Sequence, residues 1–302
     1  MLVSTEIEAL LYLLEDPDQY VYKEIKHKIV SLGPEILPDV YGLWEETNIQ
    51  LVQERTEDII HKINFKNLLD KLKYWAEFEK EDLLYGLFLL STFQYPKLDY
   101  DEFQFSFYNL KQDAALSIIG ENSPTKIVKK INDIIFNDYD FRLTNKEGMS
   151  ISNFYINELF VQKKTEVITL NVFYALLYSQ LNLPIYLLQA PNGKYLFAFF
   201  KGYIDKNNRD LKFLQYDQLK KYIYLFFDVS RSGAILSFET IEKRYIKSNK
   251  GGDEFHLTPL NNIEIIMALL NGMISYYNKK VNKQNYLAEL KKLLLILKDV
   301  NH

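Results

Sequence analysis

Nucleophilic chemistry at sulfur is closed to this chain, because none of its 302 residues is cysteine. Disulfide frameworks, zinc thiolate sites and iron–sulfur ligation are excluded with it. Imidazole is scarce. The histidines are His27, His61, His256 and His302, and no two stand at a spacing that would place a pair of ligands on one metal. His27 and His61 fall in helical stretches with lysine neighbours, which predicts solvated side chains, and His302 is the terminal residue. Carboxylate pairs such as Asp138/Asp140 and Glu45/Glu46 could serve general acid–base work, but their turn-forming or helical surroundings favour turn and surface roles. No phosphate-binding loop, dinucleotide fingerprint or Gly-x-Ser-x-Gly elbow occurs. The expectation is no metal and no cofactor.

The elements that would have to position any remaining chemistry are mainly helical. Hydrophobic residues make up 48% of the chain, which argues against disorder. A chain of this length buries about 75% of its unfolded surface and needs no cross-link to hold a core. At roughly 150 residues per domain, two domains are expected. The opening Met1-Leu2-Val3-Ser4-Thr5-Glu6 lacks the basic-then-apolar pattern of a secretory signal. No uncharged apolar stretch is long enough to span a membrane. These features predict a soluble, cytoplasmic chain with no membrane partner. The net charge of −4 conceals an asymmetry: residues 1–110 carry 21 acidic and 10 basic side chains, and the rest carry 19 and 26. Either the first part presents a solvated acidic helical face, or the two parts attract and dock. Only five arginines and scattered lysines speak against a nucleic-acid partner.

Periodicity places short amphipathic helices over the first 76 residues. One runs from Glu6 to Leu14. The next starts with Asp18 as N-cap, aligns Val21, Ile25, Ile29 and Leu32, and stops at Gly33-Pro34. Apolar stripes at Ile36, Val40 and Trp44, then at Val52, Ile59 and Ile63, continue the pattern. Paired helices of 12–15 residues would suit either an α-solenoid or an ordinary bundle. Residues 14–33 resemble one HEAT repeat, with no second copy at a fixed period. Helices follow from Leu83, from Asp101 to Ile119 and from Pro124 to Phe136, with Pro124 as first helical residue after Ser123. A short helix near 152–162 and another from Thr165 to Leu181 come next. Strands are predicted at Ile185–Gln189, Tyr195–Phe200 and Tyr222–Phe227, with Asn192-Gly193 turning between the first two. Ser230 to Gly233 is a turn. Helices resume near 238–247, 260–279 and 285–298, the last two forming a hairpin. Among the 23 tyrosines, Tyr222, Tyr224, Tyr276 and Tyr277 are candidates for an exposed binding surface, although core filling is the ordinary fate of aromatic side chains.

The ordered patterns from Tyr155-Ile156-Asn157-Glu158-Leu159 through Leu183-Pro184-Ile185 to Phe227-Asp228 resemble, over the middle of the chain, the bacterial SirB-type transglutaminase-like family. The resemblance is carried by Tyr155-Ile156-Asn157-Glu158-Leu159, Lys163-Lys164, Ile168-Thr169-Leu170, Tyr174, Leu183-Pro184-Ile185 and Pro191-Asn192-Gly193-Lys194-Tyr195-Leu196. Further on come Phe227-Asp228, Gly233, Leu236-Ser237, and Leu269-Leu270-Asn271 with Tyr276-Tyr277. It spans about residues 80–300 and implies a transglutaminase- or papain-like core with a tetratricopeptide-like helical tail. The expected fold is therefore α+β, mostly α: a HEAT-like or bundle arm over 1–78, a core with a small antiparallel sheet over 79–250, and a helical hairpin over 251–302.

In that fold a thiolate at the start of a helix is activated by a histidine that an aspartate orients. Here the resemblance puts Val167 at the nucleophile position, Lys194 at the histidine position and Asp228 at the aspartate position. Only the last matches in type. Thr169 is the nearest hydroxyl, but it lies two residues on, about 200° around a helix, and should point elsewhere. Plainer roles are packing or surface for Thr169, an exposed turn for Lys194 and turn capping after a strand for Asp228. Gly251-Gly252-Asp253-Glu254-Phe255 spells a diguanylate-cyclase signature, but the residues around it lack that enzyme's hairpin context, and a glycine-rich loop is expected. The function this predicts is a non-catalytic scaffold for an unknown protein or peptide partner. The alternatives are a hydrolase or acyltransferase with an atypical site, and a helical adaptor whose acidic arm recognises a basic partner.

Overall fold

The computed structural model describes residues 4–145, 147–190, 192–205, 216–246, 257–280 and 284–301. The Gly251–Phe255 pentapeptide, His256 and His302 lie outside the described residues. The fold is α+β and mostly α, with one small antiparallel sheet.

Local signals set the first helices. Asp18 caps α2 (Gln19–Leu32), its carboxylate accepting from the Tyr20 amide at 2.7 Å, and Gly33 ends the helix at φ 80°. Before it, α1 (Ser4–Tyr12) closes in a 3-10 turn over Leu13–Glu15, and after it comes α3 (Leu37–Glu46). Buried Arg55 holds this corner together: its guanidinium donates to the carbonyls of Leu14 and Asp16 and stacks on the Tyr22 ring.

The expectation of helices of 12–15 residues throughout this region is corrected by α4 (Gln50–Tyr74), one helix of 25 residues. No proline or glycine interrupts it, and both of its halves have something to pack on. Val52, Ile59 and Ile63 join Leu14, Ile29 and Val40 in an N-terminal core, whereas Phe65, Leu68 and Leu72 belong to the main core. The solvated role expected for His61 is also corrected. Its Nε2 lies 2.8 Å from a carboxylate oxygen of buried Glu289, on a helix near the end of the chain, and Lys62 reaches the other oxygen at 3.2 Å. His27 is exposed, as are Asp138, Asp140, Glu45 and Glu46.

The chain continues through α5 (Leu83–Thr92), α6 (Tyr100–Ser117) and α7 (Pro124–Asp133). Two short strands, β1 (Arg142–Leu143) and β2 (Lys164–Thr165), pair in parallel around α8 (Ile156–Gln162). α9 (Val167–Gln180) is buried on every side from Thr169 to Tyr178, as befits the central helix of a core. The sheet follows: β3 (Ile185–Gln189), β4 (Tyr195–Phe200), β5 (Ile223–Asp228), β6 (Ala234–Leu236) and β7 (Thr258–Pro259), in the spatial order β6-β5-β4-β3-β7, with every pairing antiparallel. β6 and β7 were not anticipated; strands of three and two residues are too short to show a period.

Alternation along the strands builds two layers. Phe197, Phe199 and Phe227 face α9 and the main core, while Leu196, Ala198, Phe200 and Phe226 face a second cluster closed by α10 (Tyr216–Leu219) and α11 (Phe238–Ile241). A sheet covered on both faces requires the unbroken apolar runs seen in β4 and β5. α12 (Asn262–Tyr277) and α13 (Gln284–Val300) complete the chain. Tyr222 and Tyr224 are exposed, against the ordinary expectation of core filling, whereas Tyr277 follows it, being 5% accessible in the main core.

Candidate functional site

Four elements converge on the start of α9, and each is held by an identifiable contact. Asn153, 4% accessible, organises the approach. Its carbonyl accepts from the Thr165 hydroxyl at 2.9 Å and the Glu166 amide at 3.2 Å, and its side chain donates to the Lys164 carbonyl at 3.2 Å. Glu166 is then the N-cap of α9, but its side chain makes no capping bond, and Val167 is the first helical residue. The β3–β4 turn brings in Lys194, whose carbonyl accepts from the Ala190 amide at 2.8 Å.

Asp228 ends β5. One of its carboxylate oxygens accepts from the Ser230 amide at 2.9 Å and the Ser230 hydroxyl at 2.6 Å, and Arg231 lies 3.6 Å from the other. The capping role foreseen for Asp228 is thus present. Behind that turn, Asn132 donates to the Gly233 carbonyl at 3.3 Å and accepts from buried Tyr174 at 2.8 Å. α12 supplies the last wall. At Gly272 an added Cβ would stand 2.9 Å from Ile168 and 3.0 Å from Phe154, so only a glycine lets α12 approach the first turn of α9 this closely.

These elements enclose a cavity of about 500 Å³. Val167, Lys194 and Asp228, three positions far apart in sequence, all line it. Thr169 does not: it is wholly buried, with its hydroxyl unpartnered inside the packing. The half-turn of helix that separates it from Val167 aims it into the core rather than at the opening. Lys194 is exposed and Val167 is 42% accessible, so both stand at the mouth.

Further lining residues carried no local signature. Asn171 is 2% accessible; its Nδ2 donates to the Val167 carbonyl at 2.8 Å, and its Oδ1 has no partner. Glu166 Oε1 is likewise buried and unpartnered. Ser275, Tyr276 and Lys279 enter from the end of α12. Of this set, only Tyr276 stood out in the sequence, as an aromatic available for binding; Glu166 and Asn171 belong to α9 and its N-cap position, and Ser275 and Lys279 join them through the packing of α12 on α9.

Electrostatically the cavity is mixed. Burial pushes the Glu166 carboxyl above its ordinary range, against the opposing pull of the Val167 backbone and the Lys279 ammonium. The partial positive charge of the α9 N-terminus, Lys194 and Lys279 offset Asp228 and Glu166. Such a site can accept hydrogen bonds at Asn171 and Glu166, hold a proton at Glu166 and pair with an anion at its lysines. It offers neither thiol nor imidazole. Among the described residues, no group of three or more metal-ligating side chains is placed to hold an ion, and no helix is long and apolar enough to cross a membrane.

The family model of the transglutaminase-like superfamily matches residues 106–271, more than half of the chain and every residue that lines this cavity except Gly272, Ser275, Tyr276 and Lys279. The chain belongs to the transglutaminase-like superfamily. No curated protein and no solved structure matches it.

Proposed function

We propose that this transglutaminase-like protein is a non-catalytic scaffold that holds a peptide segment of a partner protein in the cavity at the start of α9. One observation carries the proposal: Val167, Lys194 and Asp228 share that cavity, and the position where the resemblance expects a nucleophile presents an isopropyl group. The remaining wall suits a peptide. The unpartnered oxygens of Asn171 and Glu166 are acceptors for backbone N–H groups, Phe154, Tyr195 and Tyr276 offer aromatic surface, and Lys194 and Lys279 favour a carboxylate. SirB-type membership, a bacterial cytoplasmic setting, a HEAT-like or bundle arm over 1–78 and a tetratricopeptide-like hairpin over 251–302 belong to the same reading.

The test pairs binding with turnover. A peptide selected from an array should lose at least about tenfold in affinity, about 1.4 kcal/mol, when Val167→Arg fills the mouth or Lys279→Glu reverses its charge, with melting temperature unchanged. Amide, ester and glutamine-donor substrates should give no turnover above a buffer blank, whether or not Thr169, Lys194 or Asp228 is replaced by Ala. A measured turnover abolished by any single Ala change at these sites would overturn the scaffold reading.

A second reading, a hydrolase or acyltransferase of atypical chemistry, is favoured by one observation. The Glu166 carboxyl, raised by burial, shares the cavity with the hydroxyls of Ser230 and Ser275. A carboxyl whose folded pKa is raised opposes folding increasingly as pH rises through its unfolded value, and in full above the folded one, because the unfolded chain ionises more readily. Glu166→Gln should therefore hold or raise stability at neutral pH, within about 0.5 kcal/mol. An activity lost in this variant despite that preserved stability would support the enzyme.

A further inference from the structure

A second and wider concavity than the one at α9 lies in the N-terminal arm. α1 and α3 flank an opening of about 1190 Å³ whose inner end is formed by the corner between α2 and α3. Its floor is aliphatic. Ile7 and Leu11 stand one turn apart on α1, Leu43 faces them from α3, and Leu32 and Ile36 close the end. All of these except Ile36 are only partly buried, so the floor is apolar surface that the described residues leave uncovered. Its rim is acidic. Glu8 and Glu15 stand on the α1 side, Glu35 at the corner, and Asp39 and Glu46 on α3; all five are exposed, and no described lining residue is basic. On α2, Lys28 pairs with Glu6 at 3.5 Å. Over residues 1–46 as a whole, ten acidic side chains face three lysines.

We propose that this groove is a docking site for a basic amphipathic helix of a partner protein. Charge selects the sign of the partner: five carboxylates around one opening attract lysine and arginine and repel nucleic acid, an anionic lipid surface and a second copy of the same acidic arm. Wall geometry selects the conformation. The groove is flanked by two helix faces and offers no strand edge, so an extended peptide would find no backbone partners there, whereas a helix satisfies its own. Apolar residues at helical spacing on α1 and α3 form the ridges between which a third helix packs. The opening also exceeds the size of ordinary small-molecule pockets, about 300–1,000 Å³. The site is held by Arg55, whose two bonds to the carbonyls at the α1–α2 corner fix α1 against α4. This inference is independent of the cavity at α9.

The experiment uses the full chain and designed peptides of roughly 16 residues, about 24 Å of helix. One carries a leucine stripe flanked by lysines, a second has the same stripe flanked by glutamates, and a third is a scramble of the first that keeps its charge but has no stripe. Binding is followed by calorimetry and by chemical-shift mapping. The basic amphipathic peptide should bind at α1 and α3. Its affinity should fall about tenfold when salt shortens the screening length from about 10 Å to 3 Å, and by a similar factor in the charge-reversed variant Glu35→Lys/Asp39→Lys/Glu46→Lys. Those three side chains are exposed, so circular dichroism should report an unchanged fold. Lys279→Glu, in the other cavity, should leave this binding unaffected. The proposal is overturned if the acidic or scrambled peptide binds as well as the first, if the charge-reversed variant binds it unchanged, or if anionic vesicles or nucleic acid bind the arm more tightly than the basic peptide.

Discussion

Gly233 shows how much of the candidate site depends on a single backbone position. It sits at φ 70°, and a Cβ there would meet the Asn132 amide at 2.0 Å. Asn132 is the buried link that ties the Asp228 turn to Tyr174 on α9. Gly233→Ala combines left-handed strain with a clash against a side chain that is already committed to two hydrogen bonds. It should destabilise the fold by more than about 2 kcal/mol, measured by denaturant midpoint, and shift the resonances of Asp228 and Ser230 before those of the N-terminal arm. The sequence announced a turn at 230–233, and the residue types justify it. It could not announce Asn132, a hundred residues earlier, as the reason for the glycine.

At the scale of elements, the contact between α4 and α13 reverses the simplest reading of the charge asymmetry. The acidic part of the chain does dock with the basic part, but the buried ion cluster has the opposite polarity: His61 and Lys62 come from the acidic part and Glu289 from the basic one. Burial alone would raise the Glu289 carboxyl; the hydrogen bonds and charges of His61 and Lys62 outweigh it and leave the pKa below the ordinary value. A depressed carboxylate contributes stability above its unfolded pKa of about 4.3, and that contribution is lost as pH falls through the folded value. Glu289→Gln should therefore cost about 1 kcal/mol at neutral pH, a figure kept small because both partners are partly exposed. The difference from the parent chain should vanish in melts at pH 2–3, and a double-mutant cycle with Lys62→Ala should show coupling.

For the whole molecule, α4 decides how the arm and the core belong together. Its first half completes the N-terminal core and its second half enters the main one. A chain truncated after residue 78 would take Phe65, Leu68, Leu72 and Trp75 out of the main core, leaving cavities of the kind that cost about 2–5 kcal/mol per large side chain. Truncation after residue 48 removes α1 to α3 and spares those four. The shorter deletion should retain a cooperative melt and the longer one should not, as read by calorimetry.

The amino-acid sequence by itself determined what is local. The absence of cysteine removes thiol chemistry whatever the fold, Asp18 and Gly33 bound a helix through bonds made within a few residues, and the central strands β3 and β4 follow from aromatic and β-branched runs around an Asn-Gly turn. Tertiary structure decided what distance along the chain conceals. Packing made α4 one long helix, took Thr169 into the core, turned His61 to Glu289 and gathered Val167, Lys194, Asp228, Asn171 and Lys279 around one cavity. Side-chain chemistry is written in each residue, but its neighbours are set by burial and register between elements, and those depend on contacts that no short window of sequence contains.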